Sequence, residues 1–422
     1  MVATTDVKFF VHSNKNAPQI QNEFGSLLKV LDACLIDGIY VGAINSITLS
    51  GNIVTTTLAE PHKLLQFQVI KISGADQPEF NGEFRVLEIP NNTSFKFEIR
   101  ELLNNFVSTG TITCSLSPLN WEKPFSSSHS SGIGGKAAYR SKTSQAANQP
   151  YLRVVDEIDP LWSSSYAKYA KVGIVEHMSR IDDLNGLQSP FDLSNPTKNW
   201  KAYKEGGVTI NGWAVWAYAL SQNENTSSNT LSQPPDGMRE WFVLGSNEFI
   251  YVFPRFHIDS SLKNRLSPYF FGNVGVDSTV LLHSVINGSE ITPWKNTLLT
   301  ELNYISKNEG GSSILKIDGN LQNTKLTTYT AFYSLASAPS IRPCSGNSAL
   351  FRPFFGDKVF SSNILVLTES GMPVGSFPSC EFLHTVLPYP HLTTFTDEDD
   401  MKIAVNCMAY EQGEVVFNLG SL

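Results

Sequence analysis

The clearest alternation of apolar and polar positions runs from Ile44 to about Ser115. Ile47 and Leu49 alternate up to Ser50-Gly51-Asn52, and Ile53-Val54-Thr55-Thr56-Thr57 returns, which predicts a hairpin about a Gly-Asn turn that accepts positive φ. Three more strands follow. Phe67 to Ile72 ends at Ser73-Gly74, Glu83 to Ile89 lies between Asn81-Gly82 and Pro90-Asn91-Asn92, and Ser94 to Ile99 alternates strictly. About five short strands in some seventy residues predict a small β-barrel or sandwich with its own modest core.

Outside this stretch the periodicity changes. Lys8 to Val11 reads as a strand, and Leu27, Leu28, Leu31, Cys34 and Leu35 fall on one helical face that stops at Asp37-Gly38. Ser126 to Gly135, rich in Ser and Gly, predicts a loop, flexible or ordered by a partner. Strands are predicted at Pro150 to Glu157, Tyr166 to Val175 and Asn211 to Tyr218, with a hairpin of Trp241 to Leu244 and Phe249 to Phe253. Ser221 to Pro235 reads as a long surface loop. A second helix is expected from Thr292 as N-cap and Pro293, carrying Trp294, Leu298, Leu299, Leu302 and Ile305. Further strands are predicted at Ser313 to Ile317, Thr327 to Leu335, Ile364 to Thr368, Ile403 to Tyr410 and Val415 to Leu419, with Pro343 to Pro390 punctuating the interval.

The fold expected is therefore mainly β with a few helices: a small β-barrel or sandwich module, residues 44–115, inserted into a larger β-rich host domain of residues 1–43 and 116–340. Residues 341–422 form a β-rich C-terminal region, either separate or part of the host.

Composition narrows the function. The chain has 422 residues, 41% hydrophobic and only 17% charged, with a formal net charge of -8. Its length suits about two or three domains, and its low charge suits broad polar surfaces with many turns. The acidic balance and the lack of a Lys/Arg cluster argue against nucleic acid, which needs a basic footprint. Met1 to Asp6 lacks a basic region followed by an apolar run, and no stretch nears eighteen apolar residues, so neither secretion nor membrane insertion is expected. Cys34, Cys114, Cys344, Cys380 and Cys407 lie far apart without C-x-x-C spacing, and are expected to be buried free thiols.

Few local spacings suit catalysis. Ser131 to Ala137 has the outline of a phosphate loop, but Ser130 replaces its first glycine and Ala137 removes the hydroxyl that would hold magnesium. Asp397-Glu398-Asp399-Asp400, with His384 and His391 nearby, offers hard oxygen ligands but lacks the spacing and turn glycine of a calcium loop. Asp156, Glu157 and Asp159, or Asp182 and Asp183, are candidates for the paired carboxylates of a glycosidase, with ordinary surface acids the simpler reading. Trp213, Trp216, Tyr218, Trp241 and Phe242 suit either a sugar-stacking platform or a core, and strand aromatics favour the core. No G-x-S-x-G, H-E-x-x-H or nucleophilic cysteine signature is present. No catalytic, cofactor-binding or metal-ligating residue is expected, and the chain reads as a non-enzyme.

Several runs together resemble a known group. They are Leu31-Asp32-Ala33-Cys34-Leu35-Ile36-Asp37-Gly38, then Pro61-His62, Ile72-Ser73-Gly74-Ala75 and Phe80-Asn81-Gly82-Glu83-Phe84-Arg85-Val86. Leu119 to Phe125, Ala138-Tyr139-Arg140-Ser141, Pro150 to Val154, Ile210-Asn211-Gly212-Trp213 and Trp241 to Gly245 continue the series. With these the chain resembles virion structural proteins of tailed bacteriophages and prophages, well over about the first 250 residues and loosely beyond. Where such proteins carry an Arg-Gly turn, this chain has Ser370-Gly371-Met372-Pro373-Val374-Gly375, without the arginine. The resemblance implies a multimeric structural role in the tail or tail tip, with copies of itself and other virion proteins as partners, in a virion assembled in the bacterial cytoplasm. Capsid decoration is the alternative, and a host-glycan adhesin or depolymerase, with a host-surface glycan as partner, is the alternative of another class.

Overall fold

The strand Lys8–Val11 pairs antiparallel with Trp241–Gly245, Lys8 opposite Gly245 and Val11 opposite Phe242, so the N-terminal segment lies in the middle of the chain's apolar interior. In the computed structural model, residues 2–100, 108–142, 150–161, 167–184, 188–191, 195–205, 207–212, 214–219, 233–255, 258, 266, 268–275, 279–285, 312–316, 328–333, 361–367, 373–383, 389–408 and 412–422 are described. The protein is mainly β. Most strands join one large antiparallel sheet, and seven strands between Ile39 and Leu116 form another.

The helical face at Leu27, Leu31 and Leu35 forms as expected: an α-helix, Ser26–Asp32, continues into a π-helical turn, Ala33–Asp37. It ends at Gly38, whose φ of 78° suits a residue without a side chain. The second predicted helix, residues 221–232 of the predicted loop from Ser221 to Pro235, Trp213, Cys344, His384 and Ser370 to Met372 lie outside the described residues. Cys34, Cys114 and Cys380 are buried thiols outside any disulfide.

The seven-stranded sheet contains the expected hairpin, Ile39–Ser50 with Ile53–Leu58, turning at Gly51 with φ 66°. The run Glu83 to Ile89, predicted as one strand, is two. Gly82–Arg85 pairs with Val69–Ala75 and Glu88–Asn91 with Ser94–Glu98. Between them the chain changes partners, Val86 exchanging backbone bonds with Phe67 and Gln68 while the Leu87 amide donates to Lys96. Ser126 to Gly135 also differs from expectation: Glu122–Ser128 and Gly134–Arg140 are paired strands. Polar side chains do not stop an exposed edge strand from forming, because its pairing is made by the backbone. Gly135 permits the close approach, since a Cβ there would sit 2.3 Å from the Ser127 carbonyl oxygen.

Apolar packing continues from the helix through both sheets. Leu27, Val30 and Leu31 share a cluster with Ile47, Val54 and Phe95 of the seven-stranded sheet and Tyr139, Leu152 and Trp216 of the large one. A second cluster centres on aromatic rings, with Phe417 4.9 Å from Tyr251, 5.8 Å from Phe253 and 5.9 Å from Phe242.

The two sheets are also joined by buried polar groups. Arg85 Nε donates to the Thr4 carbonyl at 2.8 Å, Nη1 to Phe67 at 2.7 Å, and Nη2 to Val7 at 3.0 Å and Leu419 at 2.9 Å. Lys8 Nζ reaches Glu83 at 2.7 Å and the Pro118 carbonyl at 2.8 Å, and Gln68 Nε2 donates to the Phe9 carbonyl at 3.1 Å.

Candidate functional site

Side chains of successive strand residues point to opposite faces, and this separates the acids at the end of Tyr151–Glu157. Leu152, Val154 and Asp156 face the main core, while Arg153, Val155 and Glu157 face the other way. Val155 stands opposite Lys136 on one neighbouring strand and Lys171 on the other. Arg153, Glu157, Lys136 and Lys171 therefore share one face and floor a cleft of about 490 Å3, with Asp159, Leu161, Asp182, Trp200 and Lys201 around it.

Trp200 sets the cleft's depth. Gly173, opposite Arg153, makes room for the ring, since a Cβ on Gly173 would lie 2.5 Å from it. The Trp200 indole donates to Gln188 at 2.6 Å, and the Arg153 guanidinium lies 4.5 Å from the ring centroid. Arg153 Nε donates to the Ile181 carbonyl at 2.9 Å and Nη2 to Asp182 at 3.3 Å. Among the described residues its Nη1 has no partner, although Arg153 is 1% exposed. Burial pulls the Arg153 pKa down to about 10, opposed by Asp182 and Glu157, so the group stays charged near neutral pH.

The carboxylates are held ionised. Burial opposes ionisation of Asp182, but Lys136 at 2.8 Å, with Arg153, outweighs it and lowers the pKa. Burial likewise opposes Asp159, outweighed by Lys171 at 3.3 Å and the amides of Ala202 and Leu161. Lys136 also stands 3.6 Å from Glu157. A glycosidase's general acid needs a raised pKa. Asp159 and Asp182 are pushed the other way, which suits them to accept hydroxyl hydrogen bonds.

The structure brings Glu157, Asp159 and Asp182 of the predicted acids to this cleft and leaves the others elsewhere. Asp156 is fully buried. Its Oδ1 accepts the Tyr218 hydroxyl at 2.6 Å, and it lies at the N-terminus of the helix Ser26–Asp32. Desolvation raises its pKa to about 7, against the Tyr218 bond and the nearby amides of Gly25, Leu27 and Leu28. Asp183 closes a turn, accepting from the Ser179 amide at 3.0 Å and hydroxyl at 2.7 Å. Asp397 to Asp400 is the turn of a hairpin, with Asp397 2.7 Å from Lys402 and Asp400 accepting from Asn418. His391 Nδ1 accepts the Asn406 amide at 3.0 Å. Among the described residues no group of three or more His, Cys, Asp or Glu side chains is arranged to hold a metal, and no helix is long and apolar enough to cross a membrane.

Trp216, Tyr218, Trp241 and Phe242 are buried at 0 to 1% exposure and belong to the core. Trp216 stacks on Tyr269 at 5.7 Å. Gly132 to Ala137 of the phosphate-loop outline instead line a second groove of about 640 Å3, between the helix and the hairpin of Glu122–Ser128 and Gly134–Arg140. Sequence reasoning missed Arg153, Lys171 and Trp200. The available signal was a charged residue inside the apolar run Leu152-Arg153-Val154-Val155, since arginine is rarely buried without a specific role.

No protein-family model matches the chain, and no curated protein matches it. Among solved structures it is similar to a chain described as phage phi92 endosialidase, at 9% sequence identity and a TM-score of 0.16, covering 91% of this chain and 52% of that one. The chain thus spans about half the length of that structure, and a likeness this slight carries no weight for fold or function.

Proposed function

We propose that the protein is a non-enzymatic structural component of a tailed-phage virion, placed in the tail or tail tip and acting by multimeric assembly. The observation that carries this reading is the series of runs from Leu31-Asp32-Ala33-Cys34 to Trp241-Phe242-Val243-Leu244-Gly245, which resemble such virion proteins. The β-rich framework and weakly charged polar surface are compatible with it, and symmetric assembly needs only complementary patches on each copy. Mass spectrometry of purified particles, with light scattering of the isolated protein, tests it. Virion peptides and a mass of several copies are expected; a monomer absent from particles overturns it.

The cleft at Arg153, Trp200, Glu157 and Asp182 favours a second reading, a host-glycan adhesin. A convergent set of charged groups beside an aromatic ring, in a cleft of this size, is the form of a small-ligand site. Retention of host cell-surface polysaccharide by the isolated protein supports it. Release of reducing sugar, abolished by Glu157→Gln or Asp182→Asn, would make the protein a depolymerase instead.

A further inference from the structure

We infer that the Arg153–Trp200 cleft binds a carboxylated sugar, its carboxylate on Arg153 and Lys201 and its hydroxyls on Glu157 and Asp182. The inference rests on the glycan reading above for ligand class and goes beyond it in naming the sugar's charge and the groups that read it.

Three observations carry it. The first is an incomplete arginine. Arg153 is 1% exposed, lies on the Trp200 ring and uses Nε and Nη2 within the protein, yet Nη1 has no partner among the described residues. Leaving a buried charged donor unsatisfied is unfavourable, and a carboxylate is an acceptor that makes a charge-assisted hydrogen bond with it.

The second is the charge balance. Lys136, Arg153, Lys171 and Lys201 face Glu157, Asp159 and Asp182, an excess of one positive charge when His129 is neutral. Lys171 and Asp159 are buried and paired with each other. What remains for a ligand is Arg153 and Lys201 beside Glu157 and Asp182, the two carboxylates that Lys136 bridges. A phosphate or sulfate dianion would be repelled by the two carboxylates, and a basic peptide by the three cations. A monoanion carrying several hydroxyls satisfies both groups.

The third is the shape. The cleft is about 490 Å3, within the range of about 300–1,000 Å3 common to small-molecule sites. Leu161, 51% exposed, adds apolar surface at the lip. Glu157 retains 14% and Asp182 56% of side-chain exposure, so both can accept from an incoming hydroxyl.

The test uses the full chain with galacturonic acid, a monoanion, and its methyl ester, in which a methyl group removes that charge, measured by calorimetry and saturation-transfer NMR. The acid is expected to bind at least about tenfold more tightly than the ester, because a charge-assisted hydrogen bond contributes about that factor or more. Lys201→Glu, on the exposed rim, is expected to weaken the acid about tenfold and leave the ester unchanged. Arg153→Lys, which keeps the charge and loses Nη1, is expected to weaken the acid similarly. Equal binding of acid and ester, binding of neither, or acid binding indifferent to Lys201→Glu overturns the inference. If host polysaccharide is still retained in any of those cases, the adhesin reading survives; if retention is also absent, both fail.

Discussion

Replacing Arg85 by Met removes the guanidinium that joins the two sheets while keeping an unbranched apolar stem. Four backbone carbonyls, those of Thr4, Val7, Phe67 and Leu419, lose their charged donor. Hydrogen bonds to a charged group contribute about 1.5–3 kcal/mol each. Against them stands the cost of burying the guanidinium, several kcal/mol, a cost visible in the fall of its pKa to about 9 through burial. The surplus is a net loss of about 3–5 kcal/mol on substitution. Urea unfolding followed by tryptophan fluorescence measures it, with the midpoint expected to fall by about 1 M or more. Arg85→Lys keeps the charge but offers three donors from one point, and is expected to recover less than half of the loss. A Met variant within about 0.5 kcal/mol of the parent would refute the reasoning, because that is the range of an unconnected surface substitution.

Asp156, whose pKa rises from its ordinary value of 3.8 to about 7, holds a proton in the folded state that the unfolded chain has already released. Stability from this group is fully present below about pH 4 and declines as pH rises through 7, by up to about 4 kcal/mol; Asp156→Asn should flatten that slope in thermal melts between pH 4 and 8, and an unchanged slope counts against the assignment. His391 behaves oppositely, since burial lowers its pKa from 6.5 to about 4; its contribution is present above pH 6.5 and lost as pH falls toward 4, and His391→Gln should reduce acid sensitivity in the same melts. Gly134→Ala places a Cβ 2.1 Å from the Asp156 carbonyl oxygen at a φ of 73°, and is expected to cost about 2–4 kcal/mol in urea unfolding; a neutral result would show that the hairpin shifts freely.

Much of the framework could be read from periodicity. Leu27, Leu31 and Leu35 mark the helix and Gly38 its end, and the hairpins at Gly51 and at Gly245 to Glu248 follow from local turn chemistry. Glu83 to Ile89 did not resolve because both of its halves alternate correctly; only the tertiary partners, Val69–Ala75 and then Ser94–Glu98, divide it. The strand Glu122–Ser128 was hidden for another reason, that Ser-rich sequence has weak strand preference and its pairing is a backbone event. For the cleft, period two alone separates Asp156 from Glu157 once the strand is known. Trp200 reaches Arg153 only because Gly173 leaves room, a contact between three segments that no local spacing encodes.

The central claim, a place in the tail of a phage particle, is tested most directly by gold-labelled antibody on intact virions viewed by electron microscopy. Label concentrated on tails or tail tips is the predicted result. Label over the heads, or particles without label while the protein remains in the lysate, would contradict it.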